Sequence, residues 1–550
     1  MLSITEEEKE ELEEISRSEK LRWLAQKRQE TYSSLIGDLA DSCNFPFLEV
    51  LKVKESPTDY LPFRIITEFQ ILPIEKDGDE GRLPVAVGWY PDAAMEKWIY
   101  SISGKRVEWH VADPELINRT IQQRFGVGSA SLEDGGLEEL GESDVFDEDD
   151  EDQNAAVIRF INDIIEQAVR DRATDIHFEP GKDNLQIRYR IDGELVFVTV
   201  PDNLVRIKGA IISRIKIMAR LNISEKRRPQ DGRINYHLGG HDLDIRISTF
   251  PTMYGESISM RLLNQKQQPL TLSEIGLLED DQARVSRVLM RPHGIVLVTG
   301  PTGSGKSTTL NAFLRQINAP ERRIITVEDP IEYEVEGVNQ TQIKPEIGLN
   351  FATALRHILR QDPDVIMVGE IRDRETAEIA IRASLTGHMV LSTIHTNDAS
   401  GAITRLIDMD IEPFLIASAV EQVLAQRLVR RLDPSMSTSA NVDNEFLETC
   451  LRTLGISITE AAHKSKLLEP KIAGGAQNVG YYGRVGIFEV MTNNDELHEL
   501  IVKKAPAKEL RNMAMRQGMR TLQACGWEQV KLGRTSLSEI MKFSSLGSDQ

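Results

Sequence analysis

A short glycine-rich loop constrains the fold of this chain more than any other feature. Residues 300–307 read Gly-Pro-Thr-Gly-Ser-Gly-Lys-Ser, which matches the pattern G-x-x-x-x-G-K-S. An apolar run over 294–299 precedes the loop and fits a buried strand, and residues 308–317 behind it fit a helix. Glycines let backbone N–H groups turn inward around phosphates, and the start of the helix adds a partial positive charge at the same place. The sequence therefore predicts a strand–loop–helix unit that binds nucleotide phosphates.

The residues of this loop have separate predicted roles. We expect Lys306 to reach the β- and γ-phosphates of the nucleotide and the Ser307 hydroxyl to hold Mg²⁺. A chance glycine-rich turn rarely has every position of the pattern and both flanking elements. The predicted nucleotide contacts are Gly300, Pro301, Thr302, Gly303, Ser304, Gly305, Lys306, Ser307 and Thr308.

Further apolar runs end in carboxylates. Residues 365–368 fit a strand that is followed by Gly369 and Glu370, where a carboxylate can lie near the Mg²⁺ shell. Residues 324–332 fit another strand with carboxylates at its end. Carboxylates near Mg²⁺-ATP can orient or deprotonate the attacking water. Taken alone, such an acidic end is often a surface turn, but its position between the other two motifs favours a role in the site.

The bulk composition limits the remaining possibilities. A chain of 550 residues is too long for one core, and roughly three or four domains are expected. The net charge of −21 argues against a protein that coats nucleic acid, because phosphate binding needs a basic surface. Cys43, Cys450 and Cys525 lie far apart and fit idle thiols in a reducing cytosol. No signal peptide opens the chain, and no apolar run approaches the ~18 residues of a membrane span.

Changes in composition predict the domain boundaries. Residues 133–152 contain twelve acidic residues and no Lys or Arg, which predicts a flexible, self-repelling linker or, alternatively, an acidic docking site. Residues 5–42 carry a thin apolar stripe and are either a solvated surface helix or a docking helix. The predicted divisions are a helical arm over 1–42, a small α/β domain over 43–127, the linker over 128–153, a subdomain over 154–263, a hinge over 264–275, an α/β core with a parallel sheet over 276–432 and a C-terminal region over 433–550.

Longer motifs in the second half of the chain resemble a known family. Residues 326–332 (Thr-Val-Glu-Asp-Pro-Ile-Glu) resemble the Asp box of the secretion ATPase superfamily, which contains the type II secretion and type IV pilus-assembly motors (the GspE and PilB families). Residues 366–373 resemble its atypical Walker B motif, and residues 386–397 resemble its His box. Segments 173–180 and 228–233 resemble its N-terminal subdomain. The resemblance covers about seven-tenths of the chain.

The resemblance implies a fold and an activity. The fold would be α/β: a RecA-like P-loop NTPase core with a parallel sheet, preceded by a PAS-like α/β N-terminal subdomain and a smaller α/β docking domain. The protein would be a cytoplasmic homohexamer, peripherally associated with the inner membrane, that hydrolyses ATP with Mg²⁺ to power assembly of pilin or pseudopilin filaments. Its partners would be an inner-membrane platform protein and docking proteins, without direct nucleic-acid contact and with only indirect membrane contact. The alternatives are a DNA-uptake or conjugation ATPase of the same superfamily, or an ATP-binding regulator without turnover.

The resemblance also implies roles for individual side chains. Glu332 would be the general base and Glu370 would order the water and bind Mg²⁺, directly or through water, although the two roles could be exchanged. The histidines of the His box would sense the γ-phosphate or carry its state to a neighbour, and arginines of the 154–263 subdomain would close over ATP as arginine fingers. The implied catalytic residues are Glu332, Glu370, Arg246, Arg261, His395, His388 and Arg233.

The chain departs from the family pattern in the C-terminal region. Many relatives follow the segment that matches 426–432 with two C-x-x-C pairs that bind zinc, whereas only Cys450 lies nearby here. Without four soft ligands no zinc site is expected. The insert would then hold together by packing or stay mobile. Residues 45–125 match the small N-terminal domain of the family loosely and show no convincing cyclic-dinucleotide motif.

Overall fold

The computed structural model divides the chain into two compact units, which we call the first and the second unit. The first covers Met1–Leu263, and the second covers Asn264–Lys471 and Asn478–Gln550. Residues 128–150 of the predicted linker and residues 265–269 of the predicted hinge lie outside the described residues. The structure describes residues 4–543 except for 6–7, 9–10, 13–14, 16–19, 29, 49, 55–56, 58–59, 62–64, 67–68, 76–80, 92, 126, 128–150, 202–203, 239–240, 265–269, 441, 457–466 and 471–479.

A four-stranded sheet with the order β1-β4-β3-β2 begins the first unit. Leu21 and Leu24 of the predicted apolar stripe are fully buried in a cluster with Trp89 and Val111. This part of the N-terminal arm therefore packs into the domain and is not a solvated surface helix. The elements are β1 (Phe47–Leu48), β2 (Ile71–Pro73), β3 (Arg82–Val87), β4 (Arg106–Ala112), α1 (Lys20–Arg28), α2 (Tyr32–Cys43), α3 (Ala93–Ser103) and α4 (Pro114–Phe125).

A six-stranded antiparallel sheet with the order β7-β6-β5-β10-β9-β8 forms the rest of the first unit. Apolar and polar residues alternate along its strands, so one face packs against two helices and the other carries polar side chains. The elements are β5 (Ala173–Pro180), β6 (Leu185–Ile191), β7 (Glu194–Phe197), β8 (Gln230–Leu238), β9 (His241–Thr252), β10 (Gly255–Asn264), α5 (Glu151–Arg170) and α6 (Leu204–Met218).

A seven-stranded sheet organises the second unit, with the order β13-β12-β14-β15-β11-β16-β19. Its strands are parallel except for β19, which pairs antiparallel with β16. The central strands are buried along their whole length, as expected for a parallel sheet covered on both faces. The strands are β11 (Gly294–Thr299), β12 (Ile324–Glu328), β13 (Asn339–Gln342), β14 (Val365–Val368), β15 (Met389–Ile394), β16 (Val420–Leu432) and β19 (Tyr481–Thr492).

Helices cover both faces of this sheet. The two helices over 279–289 and 306–317 share one apolar cluster, and six helices between residues 351 and 516 pack in another cluster on the opposite face. Because β19 belongs to the sheet, the core does not end at the predicted boundary of residue 432. The helices are α7 (Glu279–Leu289), α8 (Lys306–Ile317), α9 (Phe351–Ile358), α10 (Arg374–Leu385), α11 (Ala399–Asp408), α12 (Pro413–Ala419), α14 (Asp495–Val502) and α15 (Ala507–Arg516), with a 3₁₀ turn over Pro345–Ile347.

The insert between β16 and β19 packs through apolar side chains. Cys450 and Leu451 of its helix are buried with Trp527 and Ile540 from the end of the chain. Of the two predicted alternatives, the described part of the insert is held by packing and is not mobile throughout. Residues 457–466 and 471–479 lie outside the described residues. The elements are a 3₁₀ turn (Pro434–Met436), β17 (Ser437–Ser439), α13 (Asn444–Thr453), β18 (Leu468–Pro470), α16 (Leu522–Lys531) and α17 (Leu537–Met541). Over the part of the chain that is described, no helix has the length and apolar content that crossing a bilayer requires.

Candidate functional site

The glycine-rich loop connects the end of β11 to the start of α8, as the sequence predicts. Gly300, Gly303 and Gly305 have φ angles of 152°, 78° and 88°. A Cβ atom on Gly300 would lie 2.5 Å from the Ser304 Oγ and 2.6 Å from the Gln426 carbonyl oxygen. Only glycine fits this backbone, which brings the loop N–H groups to the N-terminus of α8. The loop therefore has the form that an anionic phosphate chain requires.

The Lys306 amine is hydrogen-bonded to the backbone of this loop and, among the described residues, to no side chain. Its Nζ atom donates to the carbonyl oxygens of Gly300 (2.9 Å) and Pro301 (3.0 Å). Burial lowers the pKa of Lys306, and the nearby Arg427 lowers it further, while Glu370 opposes both effects. Bonds to phosphate oxygens would be stronger than these bonds to neutral carbonyls, so the amine is poised for an anionic ligand.

Glu370 lies two residues beyond the end of β14. Its side chain is 12% exposed and forms an ion pair with Arg372, which raises the pKa of that guanidinium. Its other carboxylate oxygen lies 3.5 Å from Nε2 of His395, the residue after β15. Since β14 and β15 are adjacent and parallel, their carboxyl ends bring these two side chains together at the same sheet edge as the loop.

His395 is held close to the glycine-rich loop. Partial burial lowers the pKa of its imidazole, and the charge of Lys306 adds to this effect, while Glu370 opposes it. The ring is therefore neutral at pH 7. The next residue, Thr396, donates its backbone N–H to the Thr299 hydroxyl at 2.8 Å. Thr299 immediately precedes Gly300, so the segment after His395 is fastened to the start of the loop.

Glu332 follows β12 and lies beside the phosphate-loop helix. The carbonyl oxygen of Glu334 accepts from Arg315, and that of Glu336 accepts from Asn318 at 2.8 Å, so this segment runs along α8. Glu328, the last residue of β12, is engaged elsewhere, because its carboxylate accepts from the Thr326 hydroxyl (2.6 Å). Burial raises the pKa of Glu328. The structure therefore assigns Glu328 a place in the sheet, and the role of Glu332 as a base stays a prediction.

The residues present fit a Mg²⁺–nucleotide. The Ser307 side chain is exposed at the start of α8, and the Glu370 carboxylate lies near Lys306. Among the described residues no group of three or more His, Cys, Asp or Glu could enclose a metal ion. Mg²⁺ at nucleotide sites usually has one or two protein ligands and takes the rest from phosphates and water, so a small ligand set matches that chemistry.

The other predicted histidine lies at the opposite end of the sheet. The carbonyl of His388 accepts from the backbone N–H of Gly294, the first residue of β11, and its Nδ1 lies 2.9 Å from the Ala383 carbonyl oxygen. The loop follows the last residue of β11. At about 3.3 Å per residue, the strand places His388 roughly 17 Å from the loop of its own chain. This position gives no support to a catalytic role for His388 within one subunit.

The three predicted arginines lie in the first unit, on the polar face of the six-stranded sheet. Arg233 on β8 is paired in register with Arg246 on β9. Arg261 on β10 is paired with Asp175 on β5. The alternate residues of these strands, such as Ile234, are buried in the core, so all three arginines point away from it. They therefore lie on one face of the sheet.

The sequence reasoning missed a buried polar layer beneath the loop. The Gln426 side chain accepts from the Thr309 hydroxyl of α8 at 2.7 Å. Arg427 donates to the carbonyl oxygen of Asn397 at 3.0 Å, two residues after His395, and burial lowers its pKa. In the sequence, segment 426–432 serves only to locate the insert that follows it. The signal in the sequence was a Gln-Arg pair set between the apolar residues Ala425 and Leu428.

A second missed group joins this layer to the end of the chain. Glu489 on β19 is 1% exposed and accepts the backbone N–H groups of Ala399 and Leu522, both at 3.2 Å. Arg511 lies 3.4 Å from its carboxylate. Burial raises the pKa of Glu489, and Arg511 opposes the shift. This carboxylate therefore links α11, which follows the His395 segment, to α15 and α16.

Comparison with known proteins finds relatives that align over most of this chain. The family described as Type II/IV secretion system protein matches residues 150–542, and the MshEN domain matches residues 43–131. The type II secretion system protein E of Xanthomonas campestris is 41% identical over 526 residues, which cover 92% of this chain and 90% of that protein. The chain belongs to the type II/IV secretion system protein family. It is therefore an ATPase with a RecA-like core, as the sequence analysis predicted.

A second relative and one solved structure are also similar to this chain. The type IV pilus assembly ATPase PilB of Myxococcus xanthus is 42% identical over 450 residues, or 80% of this chain and 78% of that protein. The X-ray structure of the ATPase DotB from Legionella pneumophila aligns with a TM-score of 0.51 at 22% identity, covering 71% of this chain and 96% of DotB. That likeness bears on the fold alone. Nucleotide binding follows from membership of the secretion ATPase family.

Proposed function

We propose that this chain is the motor of a type II secretion or type IV pilus assembly machine, working as a homohexamer in the cytoplasm at the inner membrane. Relatives named for these two machines align over most of this chain. The observation that carries the proposal is the meeting of Lys306, Glu370 and His395 at one edge of the sheet. Its inner-membrane partners would be a platform protein and docking proteins, and it would move pilin or pseudopilin subunits.

The second unit would supply the binding and the base. Lys306 would exchange the carbonyl oxygens of its loop for β- and γ-phosphate oxygens of ATP. Ser307 and Glu370 would hold Mg²⁺, Glu370 directly or through water, and the ion would neutralise charge on the phosphates. Glu332 would take the proton of the attacking water, whose oxygen bonds to the γ-phosphorus as ADP leaves. His395 would report the presence of the γ-phosphate through its contact with Glu370.

The first unit would supply positive charge to the transition state. Arg246 and Arg261 would contact the γ-phosphate as arginine fingers, with Arg233 as a further contributor. An arginine in this role is worth about 10³–10⁵ in rate. Hydrolysis would remove the γ-phosphate and end these contacts, so that nucleotide state would be coupled to movement in the motor. His388 would take part only in coupling.

Two linked experiments test this proposal. The purified chain with a non-cleavable ATP analogue and Mg²⁺ should form a hexamer by light scattering, and with ATP it should release phosphate. In its bacterium, replacement by Lys306→Ala at an unchanged protein level should abolish either the export of secreted enzymes or the display of surface pili. Loss of exported enzymes would assign the chain to type II secretion, and loss of pili to pilus assembly. Normal export together with normal pili would overturn the proposed function.

A further inference from the structure

One carboxylate on the polar face of the six-stranded sheet contacts a proposed arginine finger. Asp175 on β5 lies opposite Arg261 on β10, and its Oδ1 atom accepts from the Arg261 Nε at 3.1 Å. Its other oxygen accepts from the Thr174 hydroxyl at 2.7 Å. The Asp175 side chain is 11% exposed. Its carboxylate is therefore fixed in place before it meets the arginine.

The atom that Asp175 uses on Arg261 decides what the arginine can still bind. The Nε–H lies at the base of the guanidinium group, so both Nη groups stay available. Neither of them is bonded to any residue that the structure describes, and 57% of the Arg261 side chain is exposed. A guanidinium held in this way presents its outer edge to a ligand, and that edge can bind phosphate oxygens in a bidentate manner.

The neighbouring pair on the same face shows the opposite arrangement. Arg188 on β6 gives its Nη2 to Glu179 at 2.6 Å, so a terminal group of that guanidinium is already occupied. Both carboxylates belong to β5. The two pairs therefore differ in which end of the guanidinium is bonded, and only the Arg261 pair leaves the outer edge open.

A second cation lies on the other side of Asp175. The Nε of Arg190 is 4.0 Å from the Asp175 Oδ2, and its Nη1 donates to the Gly193 carbonyl oxygen at 2.9 Å. Asp175 is thus placed between two arginines of one sheet face. Its negative charge lowers their mutual repulsion, which would otherwise push the Arg261 side chain away from a fixed direction.

We propose that Asp175 is a positioning residue that orients Arg261 for contact with the γ-phosphate. The inference rests on the finger role of Arg261 within the proposed function. An arginine on a flexible stem can adopt many rotamers, and a group misplaced by about 1 Å can cost roughly 10²-fold in rate. Asp175 removes that freedom in advance by fixing the Nε end.

A double-mutant cycle on the full-length hexamer tests the inference through kcat, KM for ATP and the thermal midpoint. Asp175→Ala should lower kcat by about 10²-fold while ATP affinity changes little, because Lys306 and its loop are intact. Asp175→Asn should recover part of the rate, since the amide oxygen can still accept the Nε–H. In the Arg261→Ala background, Asp175→Ala should have almost no further effect on kcat. Glu179→Ala is the matched control and should stay close to wild type.

The possible outcomes separate the two claims. If Asp175→Ala lowers kcat by the same factor with and without Arg261, Asp175 does not act through that arginine and the inference is wrong. The inference would also be wrong if Asp175→Ala and Asp175→Asn lowered kcat equally and both lowered the thermal midpoint, because the loss of rate would then reflect a loss of stability. If Arg261→Ala itself leaves kcat unchanged, the finger role in the proposed function fails, and the inference fails with it.

Discussion

The Nε2 atom of His395 lies 3.5 Å from a carboxylate oxygen of Glu370, at the carboxyl ends of two adjacent parallel strands. Arg372 contacts the other oxygen of the same carboxylate. Glu370 therefore stands between a permanent cation and an imidazole whose charge depends on pH. A change in the charge of Glu370 would therefore act on the His395 ring, and the next residue, Thr396, is hydrogen-bonded to Thr299.

The ATPase rate should depend on the protonation of His395. Burial and the charge of Lys306 lower its pKa below the usual 6.5, so the ring is neutral above that pH and becomes charged only in more acidic solution. We expect kcat to be insensitive to this group between pH 7 and 8.5 and to fall below about 6.5. His395→Asn should lose this acidic limb, as kcat against pH would record. A wild-type limb centred above 6.5 would contradict the neutral ring.

Lys306 and Glu370 should fail in different ways. Lys306→Ala removes a phosphate ligand, so both nucleotide affinity and turnover should collapse. Glu370→Gln keeps the shape but removes the charge, so nucleotide should still bind while turnover falls by about 10²-fold or more. A fluorescent ATP analogue and steady-state phosphate release measure the two effects. Glu375→Gln, an exposed carboxylate on α10, is the control and should be neutral. Wild-type turnover in both Lys306→Ala and Glu370→Gln would refute the site.

Alanine should be tolerated less well at Gly300 than at Gly303. Both positions have positive φ, so each substitution costs backbone strain of about 1 kcal/mol. Nothing lies within 4 Å of a Cβ on Gly303, whereas one on Gly300 meets the Gln426 carbonyl oxygen at 2.6 Å. Gly300→Ala should therefore displace the loop and weaken ATP binding more than Gly303→Ala, as measured by titration calorimetry. Equal ATP affinities of the two variants would contradict this prediction and mean that the loop can shift at no cost in binding free energy.

Glu489 should contribute strongly to stability. Replacing it with alanine leaves Arg511 and the N–H groups of Ala399 and Leu522 without their buried acceptor. We expect a loss of about 3–5 kcal/mol in the free energy of unfolding, from denaturant titration. Glu499→Ala breaks only an exposed pair on α14 and should cost less than about 1 kcal/mol. Similar losses for both variants would contradict the role of Glu489 as a link.

The insert should not depend on a metal. Leu451 is fully buried in its apolar cluster, so Leu451→Ala should cost about 2–5 kcal/mol. Phe446 on the same helix is 58% exposed, and Phe446→Ala should cost far less. A strong zinc chelator should leave the thermal midpoint of the wild type unchanged. A drop on chelation would reveal a metal that the sequence does not predict.

The strand–loop–helix unit was predictable because its information is local. The glycines at 300, 303 and 305, the apolar run before them and Lys306 all lie within a short stretch of sequence. The carboxylate of Glu370 and the ring of His395 could be placed in one site only through the family motifs, since strand order is not readable from one sequence.

Contacts between distant segments could not be predicted in this way. Thr299 and Thr396 lie 97 positions apart, and Thr309 and Gln426 lie 117 apart. No periodic pattern marks such pairs, because a buried polar side chain within a strand looks the same whether its partner is near or far. The sheet also extends past residue 432, since β19 returns to it after the insert, and composition alone gave no sign of that return.

The pairing of β16 with β19 runs from Gln422 opposite Thr492 to Leu432 opposite Tyr481, and the insert leaves and rejoins the sheet at the Leu432 end. The insert therefore enters and leaves at one end of a continuous strand pairing, so a change within it can leave the pairing itself intact. Gln426, which contacts the helix after the loop, lies farther along that pairing and would keep its position.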